Sequence, residues 1–330
     1  MDGKMKKVLK GMVFLGLVGL GSLYWYYRET QVKKVHYDQV LEIERGVPLG
    51  RSLSELQVAD DLFFKIYLKL RNGGKGIKAG YYKLQGNYSI KELVQLLEEG
   101  RDKVARFTIP EGTHLDEVLN QLEMNGLGKK KEFERALEEV EFPYPTPGGN
   151  FEGYLYPETY FIPEGAPEKR VVEIFLNEFL KNFPAAEYED KKEFYRMLIL
   201  ASVIEREAQV WDEKETISSV FHNRLKRGMR LESDATVNYI YGYEKRRMYY
   251  KHLEVDSPYN TYRNTGLPPA PIANPDAASI RAAFKPADTD YLFFVATEDG
   301  SGRHHFTRSY REHLNYIRDV RNKNRKKNSN

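Results

Sequence analysis

Apolar and polar positions follow three different rhythms along this chain. From Gly11 to Tyr27 no charge interrupts the sequence. About 17 residues of helix reach roughly 26 Å, close to the thickness of a hydrocarbon core. Lys4, Lys6, Lys7 and Lys10 precede this run and Tyr24-Trp25-Tyr26-Tyr27 closes it. An aromatic end reads as an interfacial belt rather than the small residues of a cleavage site. The pattern predicts one retained membrane span, with the N-terminus cytoplasmic and the remaining chain extracytoplasmic.

From Gln31 to Arg106 the rhythm is short and mixed. Leu41-Glu42-Ile43-Glu44 alternates as a strand that Gly46-Val47-Pro48 breaks, Ala59–Leu70 carries apolar residues at helical spacing, and Gly80–Leu84 reads as a second strand. Ser89 with Glu92 forms a capping box for a helix over Ile90–Glu99, which Gly100 ends. The segment 43–49 has a weak echo in 109–115, each leading into an amphipathic helix, and neither offers evident chemistry. Pro143–Asn150 has the composition of a linker.

Beyond it lie an aromatic, β-prone stretch (151–163), a helix around residues 197–209, and a second helix through Ile217, Val220, Phe221 and Leu225 that closes near Gly228. The loop 257–269 is rich in polar and aromatic residues. A short helix from about Ala277 then precedes a buried strand at 291–296, and Lys323–Asn330 reads as a disordered basic tail.

The helix around residue 200 concentrates the chemical interest. Met197 to Ile204 is apolar except at Ser202, so the helix is expected to be buried all round. Glu205 and Glu207 then arrive about 200° apart and cannot share one site. Glu205 lies on a face of small and polar residues with Ala201, Ser202 and Ala208, which leaves room for a ligand. Glu207 shares its face with Leu200, Val203 and Ile204, which suggests packing. A partly desolvated carboxyl at the edge of an apolar helix suits a general acid. Both glutamates equally fit the point where a core helix emerges into water.

Composition narrows the options. The 330 residues suffice for two or three domains, and 51 basic against 48 acidic residues give a net charge of +3, too balanced to argue for nucleic acid. Cysteine is absent, which excludes thiol nucleophiles, disulfides and zinc-thiolate sites. Phosphate-binding, dinucleotide, serine-hydrolase and zincin motifs are missing. His304-His305 with His313 is the one histidine cluster, placed near a helix end and expected to be solvated, so no metal or other cofactor is expected.

Taken together, the motifs resemble those of the YceG-like endolytic murein transglycosylases. The matching stretches are Glu152–Tyr160, Leu200–Glu207, Val220–Leu225, Ser233–Val237, Tyr259–Tyr262 and Gly266–Pro269 with Pro271-Ile272, in the family's order. Glu232 stands where a glutamine is expected and Ala235 where a proline is. The resemblance implies an α+β chain: a cytoplasmic tail and transmembrane anchor (1–29), small LysM-like β–α modules (30–150), a catalytic domain (151–318) and the basic tail (319–330). It implies lytic cleavage of the MurNAc–GlcNAc bond within peptidoglycan strands, leaving 1,6-anhydroMurNAc ends. The catalytic residue it implies is Glu205, with Glu152, Tyr154, Ser233, Asp234, Thr236, Tyr259, Asn260, Thr261 and Tyr262 as substrate-binding residues. Expected partners are glycan strands, the cell membrane, and peptidoglycan synthases or division proteins. The alternatives are a muramidase-type hydrolase in which Asp234 positions water, and a non-catalytic, membrane-tethered peptidoglycan-binding or division-scaffold protein.

Overall fold

The uncharged N-terminal run is a single helix, α1 (Gly3–Tyr27), in the computed structural model, which describes residues 3–43, 48–54, 56–100, 104–245 and 248–327. Met12, Phe14, Leu17 and Leu20 are exposed along it. From Leu9 to Val32 the segment is long and apolar enough to cross a membrane. Its aromatic end also packs, with the Trp25 and Tyr26 rings 5.3 and 6.4 Å from Phe63. A π-helical turn over Arg28–Val32 ends the helix, and the buried Thr30 hydroxyl donates back to the Tyr26 carbonyl at 2.7 Å.

Contacts divide the chain into two compact units. The first comprises Met1–Arg106 and the returning segment Phe161–Pro167. Its centre is an antiparallel pair, β1 (Lys34–Ile43) with β2 (Gly80–Ser89), registered from Lys34 opposite Ser89 to Ile43 opposite Gly80. Between the strands lie α2 (Leu49–Leu53) and α3 (Leu62–Leu70), giving a β–α–α–β order, and α4 (Ile90–Glu99) follows. Leu41, Leu84, Val94 and Leu97 form the dry centre. The Asp61 carboxylate accepts the N–H groups of Phe63 and Phe64, which fixes the start of α3 after the expected Ala59. The Ser89–Glu92 capping box of α4 forms as predicted. Glu44–Val47, the turn of the suggested internal repeat, lie outside the described residues, and its counterpart at 109–115 belongs to the other unit.

The second unit comprises Phe107–Tyr160 and Glu168–Asn330. Strands β3 (Val104–Thr108) and β4 (Thr159–Pro163) each run across the division between the units, and α5 (Leu115–Met124) and α6 (Lys130–Glu139) lie between them in sequence. Helices α7 (Glu168–Asn182), α8 (Lys191–Glu207), α9 (Lys214–Lys226), α10 (Asp234–Ile240) and α11 (Ala277–Phe284) follow, then the hairpin β5 (Phe293–Ala296) and β6 (His304–Thr307), and α12 (Tyr310–Lys327).

Four expectations are corrected here. The proline-rich stretch 143–150 is not a free linker. Tyr144 is 3% exposed, donates to the Phe183 carbonyl at 2.9 Å and stacks on Phe194 at 4.3 Å, so this stretch packs inside the second unit and the chain divides at Arg106 instead. Residues 151–158 are a loop rather than strand, because their aromatic side chains fill a core. Strand β5 is half-buried, since a two-stranded hairpin covers little of either face. Helix α12 continues to Lys327, through residues expected to be disordered.

Candidate active site

Helix α8 begins where the Asp190 carboxylate accepts the N–H groups of Lys192 and Glu193, both at 2.9 Å. Ten of its residues, Phe194 to Ile204 apart from Arg196, are buried, as its apolar run requires. Ser202, the one polar residue in that run, donates to the Ile199 carbonyl at 2.7 Å and accepts the Ile272 N–H at 2.9 Å. A loop at 270–274 is thereby pinned across the helix.

The two glutamates at the end of α8 enter different networks, as their angular separation demands. Glu205 Oε2 accepts from Lys214 Nζ at 3.1 Å, Asp276 N–H at 3.0 Å and Ser279 Oγ at 2.7 Å. Lys214 also pairs with the Asp276 carboxylate at 2.8 Å. The Glu205 and Lys214 side chains are 9% and 8% exposed. Burial and the Asp276 charge push Glu205 upward against the pull of Lys214, whereas Asp276, despite its burial, is held below the usual carboxylate range by Lys214 and the Ser279 N–H. The small residues on the Glu205 face admit Lys214 and the start of α11, which take up its Oε2.

Glu207, expected to pack, has the more reactive surroundings. Its Oε1 accepts a hydrogen bond from the Ser233 hydroxyl. Burial raises its pKa and the Asp234 charge adds to this, while Ser233, His304 and the Ala235 N–H pull the other way. Asp234 is exposed beside it and accepts the Tyr262 hydroxyl at 2.8 Å. A half-buried carboxyl that favours its proton, with polar and aromatic groups around it, can serve as a general acid.

Arg206, between the glutamates, donates to the Gly112 carbonyl at 3.0 Å and lies 4.0 Å over the Tyr243 ring. Tyr243 has a left-handed backbone (φ 60°) and donates to the Ile272 carbonyl at 2.7 Å. The segment around Gly112 that seemed devoid of chemistry thus abuts the site. Glu152 is 2% exposed; Oε1 accepts the Leu115 N–H at 2.9 Å and Oε2 accepts the Tyr239 hydroxyl at 3.2 Å. Burial pushes Glu152 up to about 8 against those two donors. Beside it a groove of about 730 Å³ runs between α5, α6 and the end of α10, with Tyr239 and Tyr259 on one wall.

The remaining sequence candidates separate by burial. Tyr154, Thr236, Asn260 and Thr261 are at most 1% exposed and hold the scaffold. The Tyr154 hydroxyl donates to the Pro145 carbonyl at 2.8 Å. Thr261 Oγ1 accepts the Ser233 N–H at 3.1 Å and lies 2.8 Å from Thr236 Oγ1. Asn260 donates to the Leu253 and Val255 carbonyls at 2.9 and 2.8 Å, shaping the loop that presents Tyr259 and Tyr262. Glu232 has φ 52° and pairs with Arg224 at 3.2 Å, so this departure from the family pattern is tied to α9. His304 is not solvated: it lies on β6 with Nδ1 2.8 Å from the buried Glu213. Sequence reasoning missed Lys214, Asp276, Ser279 and Asn274. The Asp-x-x-Ser cap of α11 was a readable signal, whereas a buried lysine gives none.

The YceG-like family model matches residues 41–319. The endolytic murein transglycosylase of Bacillus subtilis strain 168 is 32% identical over 318 residues, covering 87% of this chain and 87% of that protein. An endolytic murein transglycosylase of Streptococcus pneumoniae strain D39 is 28% identical, over 88% of this chain and 60% of its own longer length. A crystal structure of a YceG-like protein from Listeria monocytogenes shares 31% identity with a TM-score of 0.56, covering 84% of this chain and 98% of that one. On these matches the chain belongs to the YceG-like family.

Proposed function

We propose that this protein is a lytic transglycosylase that cuts inside peptidoglycan strands at the MurNAc–GlcNAc bond, with Glu207 as its acid and base. The observation that carries the reading is the Glu207 carboxyl, which burial biases toward its protonated form beside Ser233, Asp234 and Tyr262. The activity named for its relatives in B. subtilis and S. pneumoniae supports the same conclusion.

The reaction needs one carboxyl. Protonated Glu207 gives its proton to the glycosidic oxygen as the bond from C1 to that oxygen breaks. The resulting carboxylate takes the proton of the C6 hydroxyl while O6 bonds to C1, which closes the 1,6-anhydro ring and restores the acid. The nucleophile is already tethered to the reacting sugar, so proximity replaces a second carboxylate. Ser233 steadies Glu207 between the two steps.

Around this centre, residues 1–29 form a cytoplasmic tail and anchor, with the folded units outside the cytoplasm. Exposed apolar side chains on α1 support that arrangement. The β–α–α–β order of the first unit supports a LysM-like, glycan-holding module. Digestion of purified strands in water labelled with heavy oxygen tests the reaction. Unlabelled products ending in 1,6-anhydroMurNAc are expected; label at the new terminus would establish hydrolysis, with Asp234 as the group that positions water.

A further inference from the structure

A helix that buries one face in a core normally turns polar side chains to water. Helix α3 does not. Phe64 and Tyr67 are buried in the centre of the first unit. Leu62, Ile66 and Leu70 follow at four-residue spacing on a second face and are 66%, 38% and 70% exposed. Single exposed apolar residues are ordinary, but a row of three along one stripe marks a surface that something covers.

The position of α3 says what that cover is. Phe63 lies about 100° round the helix from Leu62, on the Leu70 side of the stripe. Its ring meets those of Trp25 and Tyr26 at 5.3 and 6.4 Å. Those two residues close the apolar run of α1, where an aromatic belt meets the boundary between membrane and water. Tyr26 and Phe63 also pack against the core of the first unit, and the turn Arg28–Val32 leads almost directly into β1. No loose linker separates the apolar run from the fold. The stripe therefore starts beside the boundary and continues for about 12 Å along α3.

Its other border is basic. Lys65 and Lys69 are exposed on the side of the stripe away from Phe63. Lys65 pairs with the exposed Asp60 at 3.1 Å, and Lys69 has no ion pair among the described residues. Asp61 is turned to the cap of α3, and Arg71, just past the helix, is engaged by Glu98. Lysines beside an apolar stripe bury their stems and lift their ammonium groups to anionic headgroups. Three aliphatic side chains, by contrast, offer a glycan no hydrogen bond.

We infer that α3 lies in the interfacial layer of the membrane that α1 crosses. Leu62, Ile66 and Leu70 enter the acyl region, and Lys65 and Lys69 meet anionic phosphates. The inference rests on the anchor reading above and adds a second lipid contact, made by the folded part of the chain.

The chain has no cysteine, so Ile66→Cys and Leu17→Cys each create a single labelling position. Full-length protein with a nitrobenzoxadiazole label at one of them is reconstituted in vesicles of phosphatidylcholine and phosphatidylglycerol. Nitroxides on the lipid acyl chains and iodide on both sides of the bilayer serve as quenchers. The label at 66 is expected to be quenched several-fold more by nitroxides near the headgroups than by iodide. The label at 17 should respond to nitroxides at the bilayer centre. Adding Lys65→Glu and Lys69→Glu to the Ile66→Cys chain should move the balance at 66 toward iodide, most strongly at low salt. An unchanged balance would overturn the role given to the lysines. Position 66 open to iodide while 17 stays in lipid would overturn the inference and leave the anchor standing. Position 66 shielded from both quenchers would mean that a second copy covers the stripe, which overturns it as well. Position 17 open to iodide would instead overturn the anchor itself.

Discussion

The Lys214 ammonium lies 3.1 Å from Glu205 Oε2 and 2.8 Å from the Asp276 carboxylate, with little of its side chain exposed. This triad fastens α8, α9 and the start of α11 to one another. Removing the cation while leaving the nearly buried Glu205 carboxylate and the half-buried Asp276 carboxylate is costly. Lys214→Met is therefore expected to lose about 3–5 kcal/mol of stability. Without their cation both carboxylates favour protonation, so the deficit should grow as pH rises from 5 to 7. Thermal unfolding across that range checks this, and a pH-independent deficit would contradict it.

The Ser233 hydroxyl stabilises the charged form of Glu207. In Ser233→Ala that stabilisation is lost, so Glu207 should hold its proton to higher pH. The alkaline limb of the activity profile should then move upward while the maximal rate falls about tenfold, the order of one hydrogen bond to a charged group. A lower rate with an unmoved limb would show that Ser233 serves the fold alone.

Glu152 carries a pH signature in stability. Burial lifts its folded pKa to about 8, well above the ordinary carboxylate range it has in the unfolded chain. Between those values the unfolded chain releases a proton that the folded chain keeps, so stability falls as pH rises through this window. Glu152→Gln keeps a neutral side chain with an acceptor for the Leu115 N–H. Its melting temperature should decline less from pH 5 to pH 8 than that of the parent protein. Parallel declines would mean that Glu152 ionises freely.

Asn274 is fully buried, with Oδ1 accepting the Leu155 N–H at 3.0 Å and Nδ2 donating to the Thr113 carbonyl at 2.8 Å. Asn274→Ala strands the Leu155 N–H away from water, while the Thr113 carbonyl keeps the Asn274 backbone N–H at 2.9 Å, and should cost about 1–3 kcal/mol, the range for one buried unpaired group. Denaturant titration measures the loss, and a change below 1 kcal/mol would imply that water replaces the side chain.

What the sequence made legible was local. The Ser89–Glu92 box, the burial of α8 and the divergence of Glu205 from Glu207 all follow from spacing along one helix. Spacing says which residues share a face but not what will cover it. Lys214, nine positions beyond Glu205, and Ser233, twenty-six beyond Glu207, reach those faces only after intervening turns. A lysine is ordinarily a surface residue, and nothing local announced that this one would be buried. The same limit hid the segment around Gly112, whose part in the site depends on contacts with Arg206 and Asn274 far along the chain.

The most direct test compares glutamine at the two positions, per molecule of folded protein. Glu207→Gln preserves shape but removes the transferable proton, so release of 1,6-anhydro products should fall by roughly 10²–10⁴-fold. Glu205→Gln disturbs the Lys214 triad and should lower the melting temperature, while the folded fraction keeps its rate to within about tenfold. An active Glu207→Gln enzyme beside a folded but inactive Glu205→Gln enzyme would contradict the assignment and return the acid to Glu205.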